Sequence, residues 1–591
     1  MSPPNGWFNP QGDAAWRLLG CRVTSAWTSG GAVSANDPVI NYIIADSDRH
    51  APAKLADLDS EQQLVSEIWG LQIRIADANG NTLMRGDFDP AAFADIWDRA
   101  TGHGGGDNAA GAMYQSVLTN LQWADVSGSA FLTELQRSAS DGLLSIKFNV
   151  DGFNLSFTSP DFMTGRITGT IGPATASEPR HLVVGRQFMA SAGTGGNFFA
   201  PAGGINFLAA VIDRETSCIY LDLGNALSTS IAGGSFNDLG DLTLSAYDPI
   251  LTPINPAGST IPLGTILSMG AGGYAQDISW YPLTAGIVVL PLNEEQLKWA
   301  SVSSLLLTGQ KGALISEWSN TAFVRADRFV YRLSPGEPTE LEAYAMQWGR
   351  PLAGVEINFL TDNSQLQGQV GEVGQGSPYV AASPAIGTPA GALNYKTTAF
   401  TDENGRAAIQ LNTTDPGTPR FFNNGADFGI DGQVYGIRPG FIDTAQYNGP
   451  INQWNFISIL LWSGFYPPSP ITWTSLQPIF QQYANLYPVM NRFLNLGNYD
   501  AVVANADLLI LAFGVSLDNP NSMPVTRDLS PAKREAILTW LKNPLPGPVP
   551  PVVAHAAASK ATADSDLSLV AAAPTGGKSA AAARRIVLQN R

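Results

Sequence analysis

Well-capped helical periodicity occurs in one place in this chain, residues 473–541, and that confinement decides what the rest can become. Leu476, Ile479, Phe480, Tyr483, Leu486, Tyr487 and Met490 recur at three- and four-residue steps, which lays one apolar face along a helix. Thr474, with Gln477 three residues on, has the spacing of a capping box. Pro478 then falls at the edge of the first turn, and Pro488 is expected to kink the helix near its end. Asn498 opens a second helix carrying Val502, Val503, Ala506, Leu509 and Phe513, closed by Gly514. Ser530-Pro531 opens a third, with Ile537, Leu538, Trp540 and Leu541 inward and Asn543-Pro544 as its stop. Elsewhere the apolar runs are short and broken by turn formers. With 60 glycines, 40 prolines and only 14% charged residues, the remainder is a turn-rich, β-dominated chain. At 591 residues it is also too long for one core.

The expected fold is therefore mainly β with some α. A multi-sheet, β-sandwich-like body spans 1–335, an immunoglobulin-like β module 336–450, a small C-terminal helical segment 451–545, and a disordered Pro/Ala-rich tail 546–591. In the body, Leu71–Ile75 alternates and turns through Asp77-Ala78-Asn79-Gly80-Asn81 into a second strand. That turn has the opening letters of a calcium loop, but Thr82 and Phe88 stand where glycine and glutamate are required. Helices are expected at Ser60–Trp69, Pro90–Arg99 and Met113–Leu121, and strands at Leu144–Val150, Arg166–Ile171, Cys218–Leu223 and Leu242–Tyr247. In the module, strands are expected at Thr339–Tyr344, Leu352–Phe359, Thr397–Phe400, Ala407–Leu411 and Gly432–Gly436, with a turn at Thr401–Arg406. The order of Gly354–Phe359, a long loop, and Thr401-Asp402-Glu403-Asn404-Gly405-Arg406 resembles immunoglobulin-like bacterial surface-protein modules.

The link between the second and third helices, 518–530, is dense in turn formers and holds one arginine among polar neighbours. Asn521, Met523, Arg527 and Asp528 are its candidate residues, either fastening helix ends or recognising a ligand. Tyr487-Pro488-Val489-Met490, followed by Met523-Pro524-Val525-Thr526-Arg527-Asp528-Leu529-Ser530, resembles the segment ahead of the ferritin-like domain in iminophenylpyruvate dimer synthases. Pro262-Leu263-Gly264 as a turn before a strand, Gly286–Leu292 and Val330–Leu333 extend that likeness in order. In those enzymes the oxidative coupling of aromatic units is attributed to a metal-binding helical half. The likeness implies no such half here, because the glutamates and Glu-x-x-His pairs it needs do not follow.

Other chemistry is sparse. His50, His103, His181 and His555 are scattered, and Glu178-Pro179-Arg180-His181 carries a proline that spoils a helical ligand pair. No Gly-x-Ser-x-Gly or Cys-x-x-Cys is present, and Ser191–Gly196 lacks the Lys-Ser or Lys-Thr of a phosphate loop. Carboxylate pairs such as Asp46/Asp48 and Glu294/Glu295 carry little information among 50 acidic residues. Trp69, Trp97 and Trp540 fit core positions rather than a sugar platform. A net charge of −17 argues against nucleic acid as a partner. Cys21 and Cys218 do not imply a disulfide framework, and neither a signal peptide nor an apolar run of membrane-spanning length is visible. The reading is a cytosolic chain, with signal-less export open. It uses no cofactor or metal and acts with a protein partner as a non-catalytic scaffold or binding protein. The alternative is an accessory subunit or divergent relative of the aromatic-coupling enzymes, working with a separate ferritin-like chain.

Overall fold

The computed structural model describes residues 15–547 apart from 35, 60–61, 63–64, 103–106, 157, 248–259, 367–368, 371–379, 382–383, 421–430, 448–451, 453–454, 488–489 and 492–493. The tail from 548 onward, His103 and Pro488 lie outside the described residues, as does His555. Sheets dominate, as the turn-rich composition requires. In the first part, Ala110–Trp123 is the spine. It pairs with Leu144–Asp151 on one side and Thr82–Phe88 on the other, and Ala94–Asp98 also pairs with it. The seven-stranded sheet runs from Arg166–Pro173 to Ile43–Ala45. A second, four-stranded sheet (Ala15–Trp16, Ala53–Asp57, Ser66–Trp69, Ala91–Ala92) shares its core of Ile68, Ile73, Met84, Leu118 and Phe148. A separate core, including Phe188, Ile219, Leu244 and Leu307, lies with two further four-stranded sheets over residues 186–316. The body thus holds two cores.

Three segments read as helices are strands: Ser66–Trp69 lies where Ser60–Trp69 was expected, Ala94–Asp98 replaces Pro90–Arg99, and Ala110–Trp123 replaces Met113–Leu121. Ser66–Trp69, Ala94–Asp98 and residues 110–118 of the long strand are buried on both faces, so the two-residue alternation that marks a half-buried strand is absent there. Pro262-Leu263-Gly264, expected as a turn, lies inside strand Thr260–Ile266, where a register shift in the pairing accommodates it. Asp77 and Asp402 build matching turns. Each carboxylate accepts from the backbone two and four residues on, with Gly80 and Gly405 at positive φ.

Two five-stranded sheets form the next layer pair. One holds Phe323–Ala326, Thr339–Gln347, Arg406–Thr413, Leu393–Tyr395 and Arg350–Pro351. The other holds Val330–Leu333, Ile457–Leu461, Gln433–Phe441, Glu356–Thr361 and Thr398–Phe400. Their shared core includes Leu341, Ile357, Phe359, Ile409, Tyr435 and Ile459. The sandwich recruits strands beyond both ends of the 336–450 span. Val330–Leu333 pairs in parallel with Ile457–Leu461, which closes the sheet from outside.

The helices in chain order are α1 (Ala130–Ser138), α2 (Trp280–Thr284), α3 (Glu294–Val302), α4 (Thr444–Tyr447), α5 (Trp473–Leu486), α6 (Tyr499–Ala504), α7 (Ala506–Gly514) and α8 (Pro531–Leu541). None among the described residues is long and apolar enough to cross a membrane. α5 starts earlier than its periodicity suggested. Thr472, not Thr474, is the cap, paired with Ser475, and Pro478 stands inside the helix. Trp473 decides this, since its N–H bonds the Leu545 carbonyl and its ring stacks against Phe480 and Trp540. The expected second helix is broken in two, because the Asn505 side chain bonds back to the Ala501 carbonyl and its backbone leaves helical geometry. Asn498 and Ser530 cap α6 and α8 as read.

Candidate functional site

The 515–530 link folds into the seam between α7, α8, the sandwich and strand Ser66–Trp69. Asn521 stays exposed on its rim, Met523 is half-buried against the helical core, and Arg527 and Asp528 are sealed. Arg527 has φ +54° and donates to three carbonyls: Leu517 (Nε, 3.2 Å), Val525 (Nη1, 2.6 Å) and Asn519 (Nη2, 3.0 Å). All three partners are carbonyls of the link itself, none of them on a helix. Burial, with Arg332 and Arg534 nearby, pulls its pKa down to about 10. The task of fastening helix ends falls to Arg534 instead. Its guanidinium reaches the Phe513 and Val515 carbonyls at the end of α7 and the Met523 carbonyl in the link. Sequence spacing could have found it, since Arg534 sits one turn into α8, but nothing local shows that α7 ends beside it.

Asp528 collects hydroxyls. Tyr483 donates to its Oδ1 at 3.1 Å and Thr526 at 2.6 Å. With the Thr526 proton so used, the Tyr487 hydroxyl at 3.0 Å donates to Thr526. Burial, with Asp59 and Asp431 close by, pushes the Asp528 carboxyl up to about 6 despite these bonds. Its backbone carbonyl accepts from Trp462 Nε1 at 2.8 Å, which ties the sandwich to the loop. Around this centre, Arg332 pairs with Glu67 and reaches the Asp57 and Thr526 carbonyls, Arg420 pairs with Asp59, and Lys533 pairs with Asp431 at 3.1 Å. The guanidinium carbons of Arg332 and Arg527 lie 5.3 and 6.0 Å from the Trp69 ring centre. Gly70 allows the closest approach. Its φ is +71°, and a Cβ there would stand 2.7 Å from the Asp518 carbonyl oxygen. Three parts of the chain thus meet through buried ion pairs and carbonyl contacts.

A second polar nook went unread in the sequence. His181 lies between Asp327 (Nδ1 to Oδ2, 3.5 Å) and Asp89 (Nε2 to Oδ2, 3.7 Å), and its backbone N–H donates to Asp327 at 2.7 Å. His181 holds the Asp327 carboxyl below the usual carboxylate range against burial. The cavity beside them, about 10 Å³ and also lined by Glu67, Gln115 and Arg328, has room for one water. Glu178 is not a ligand partner of His181; it accepts from the Thr175 backbone N–H instead. Among the described residues no group of three or more His, Cys, Asp or Glu side chains stands in a metal-holding arrangement.

No protein-family model and no curated protein sequence matches the chain. Solved structures give partial superpositions. A two-domain protein of unknown function from Bacteroides fragilis shares 9% identity over 24% of this chain and 46% of its own, with a TM-score of 0.16. The D0-D1 domain of Intimin shares 12% over 41% of this chain and 88% of its own, at 0.14. The S-layer protein SbsC shares 8% over 77% of this chain and 54% of its own, at 0.14. This chain therefore spans about half the length of the first of these proteins. Bacterial surface-protein domains are among the similar structures.

Proposed function

We propose that this protein is a non-catalytic β-rich scaffold or binding protein that works in a protein assembly. The observation behind this reading is the placement of its most reactive-looking groups. Asp528, Thr526, Tyr483, Tyr487 and Arg527 bond to one another or to backbone carbonyls inside a buried seam, and Thr526, Arg527 and Asp528 are at most 1% exposed. A catalytic group must touch its substrate, whereas a sealed set of this kind serves to lock elements together. On this reading the loop 518–530 is a clasp rather than a recognition loop. Half-buried, unbridged Cys21 and Cys218 fit a reducing, cytosolic setting. The test is calorimetry of the wild type beside Arg527→Ala. A scaffold clasped here melts as one unit and loses that cooperativity in the variant. Unchanged melting together with loss of a bound partner counts for a recognition loop.

The order of residues in 487–490 and 523–530 supports a second reading, an accessory subunit of an aromatic-coupling enzyme acting with a separate ferritin-like chain. Reconstitution with such a chain, followed by metal analysis and an absorbance scan for haem, tests it. Failure to associate removes it.

A further inference from the structure

Most charged side chains near the seams are neutralised by a partner. Arg99 and Arg166 face Asp151, Arg325 faces Asp95, and Arg406 faces Glu340 and Glu342. One open groove is different. It is an open depression of about 520 Å³ lined by Arg214, Glu294, Leu297, Lys298, Ser301, Val302 and Arg350. Arg214 comes from the turn between Leu208–Asp213 and Cys218–Asp222, Lys298 from α3, and Arg350 from the hairpin following Thr339–Gln347. All three cations are exposed, and among the described residues none has an ion-pair partner. They converge in a protein whose net charge is −17, over an apolar floor of Leu297 and Val302.

The groove walls are held rigid from below. Arg186, fully buried, donates to the Ala300 and Ser303 carbonyls at the end of α3 and pairs with buried Glu317. Glu317 in turn accepts from the Leu305 N–H. The Arg186 guanidinium lies 5.8 Å from the Trp348 ring centre, and Gly349, at φ +73°, leaves room for its side chain. One buried arginine therefore positions both α3 and the hairpin that presents Arg350. Preorganisation of this kind lowers the ordering cost of binding.

We infer that this groove binds an acidic, extended segment of a partner protein that carries an apolar side chain. The shape favours a segment over a small molecule. A small ligand needs most of its surface enclosed, and here the cations stand in solvent and Val302 is 51% exposed. An extended chain can lie along the trough, place carboxylates on three separate cations and drop one apolar group onto Leu297 and Val302. This inference rests on the scaffold reading and supplies it with a contact surface.

The test uses the full chain and a short fluorescein-labelled peptide of repeating Asp-Glu-Leu, read by fluorescence anisotropy. A peptide with lysine in place of the acidic residues is the control. Lys298→Glu and the pair Arg214→Ala with Arg350→Ala touch only exposed side chains, so melting should not move. Binding to the acidic peptide should weaken about tenfold in each and should fall as salt rises. Equal binding by wild type and variants overturns the inference. Displacement of the peptide by an equimolar amount of citrate also overturns it, by assigning the groove to small polyanions. Either failure leaves the cooperative melting of the clasp unaffected, so the two readings fall separately.

Discussion

Replacing Arg527 by alanine removes three hydrogen bonds from a buried seam and leaves the carbonyls of Leu517, Val525 and Asn519 without their guanidinium. Hydrogen bonds from a charged group contribute about 1.5–3 kcal/mol each, so the gross loss is roughly 5–9 kcal/mol. The opposing term is the cost of holding that charge in the seam. A pKa pulled from 12.5 to about 10 corresponds to about 3 kcal/mol. The net expectation is a loss of about 2–6 kcal/mol in equilibrium denaturation. Backbone geometry adds a control. At φ +54° glycine is unstrained and alanine is not, so Arg527→Gly should be more stable than Arg527→Ala by about 1 kcal/mol, the reverse of their order in an ordinary loop. Arg527→Lys should recover only part of the loss, since one ammonium cannot span three carbonyls in a planar fork. An alanine variant within 0.5 kcal/mol of wild type, a shift expected of ordinary surface sites, or a glycine variant below alanine, would refute the reasoning.

Asp528 has a raised folded pKa, so its contribution to stability is full below its unfolded value and is lost as pH rises through about 6. Asp528→Asn should therefore flatten the stability difference between about pH 4 and pH 7 by up to ~3 kcal/mol, and urea titrations at the two pH values that keep the wild-type slope would contradict this. Asp327 is shifted the other way, held low by His181, so its contribution is present at neutral pH and lost as pH falls through its folded value. Asp327→Asn should destabilise at neutral pH and converge on wild type in acid, and a cost that does not change with pH would count against the His181 pairing. Gly70→Ala would drive a Cβ to 2.7 Å from the Asp518 oxygen, so it should cost at least about 2 kcal/mol and expose the 515–525 loop to protease; an unchanged cleavage pattern would show that the seam can yield.

Where local pattern and local partner coincide, the sequence was legible. Leu242–Tyr247 appears with the bounds read for it, and Asn498 and Ser530 cap the helices they announce. Legibility failed where polar residues were buried by partners far along the chain. Glu67 is buried in strand Ser66–Trp69 against Arg332, and Asp95 in Ala94–Asp98 against Arg325. Without those arginines in view, Leu64, Val65, Ile68 and Trp69 read as one face of a helix. The candidate loop was located from its turn formers, and its Arg527 lies buried against carbonyls of the same loop. Its carbonyl partners could not be foreseen, because backbone groups leave no mark on composition. The groove of Arg214, Lys298 and Arg350 had no signal, since its three cations come from segments that only the fold brings together.

The long-range ion pairs of the seam bear on how the chain is made. Glu67 is 265 residues ahead of Arg332, Asp95 is 230 ahead of Arg325, and Asp59 is 361 ahead of Arg420. At roughly 5–20 residues per second on the ribosome, Asp59 waits tens of seconds for its arginine. Until then the nascent body carries bare carboxylates where its interior will close, and burying one without its arginine costs about 3–5 kcal/mol. Maturation is thus a late event that needs the sandwich, not a progression from the first strand onward. The same wiring limits exchange between chains: a graft of the sandwich must bring Arg325, Arg332 and Arg420 with it, or the recipient body cannot seal.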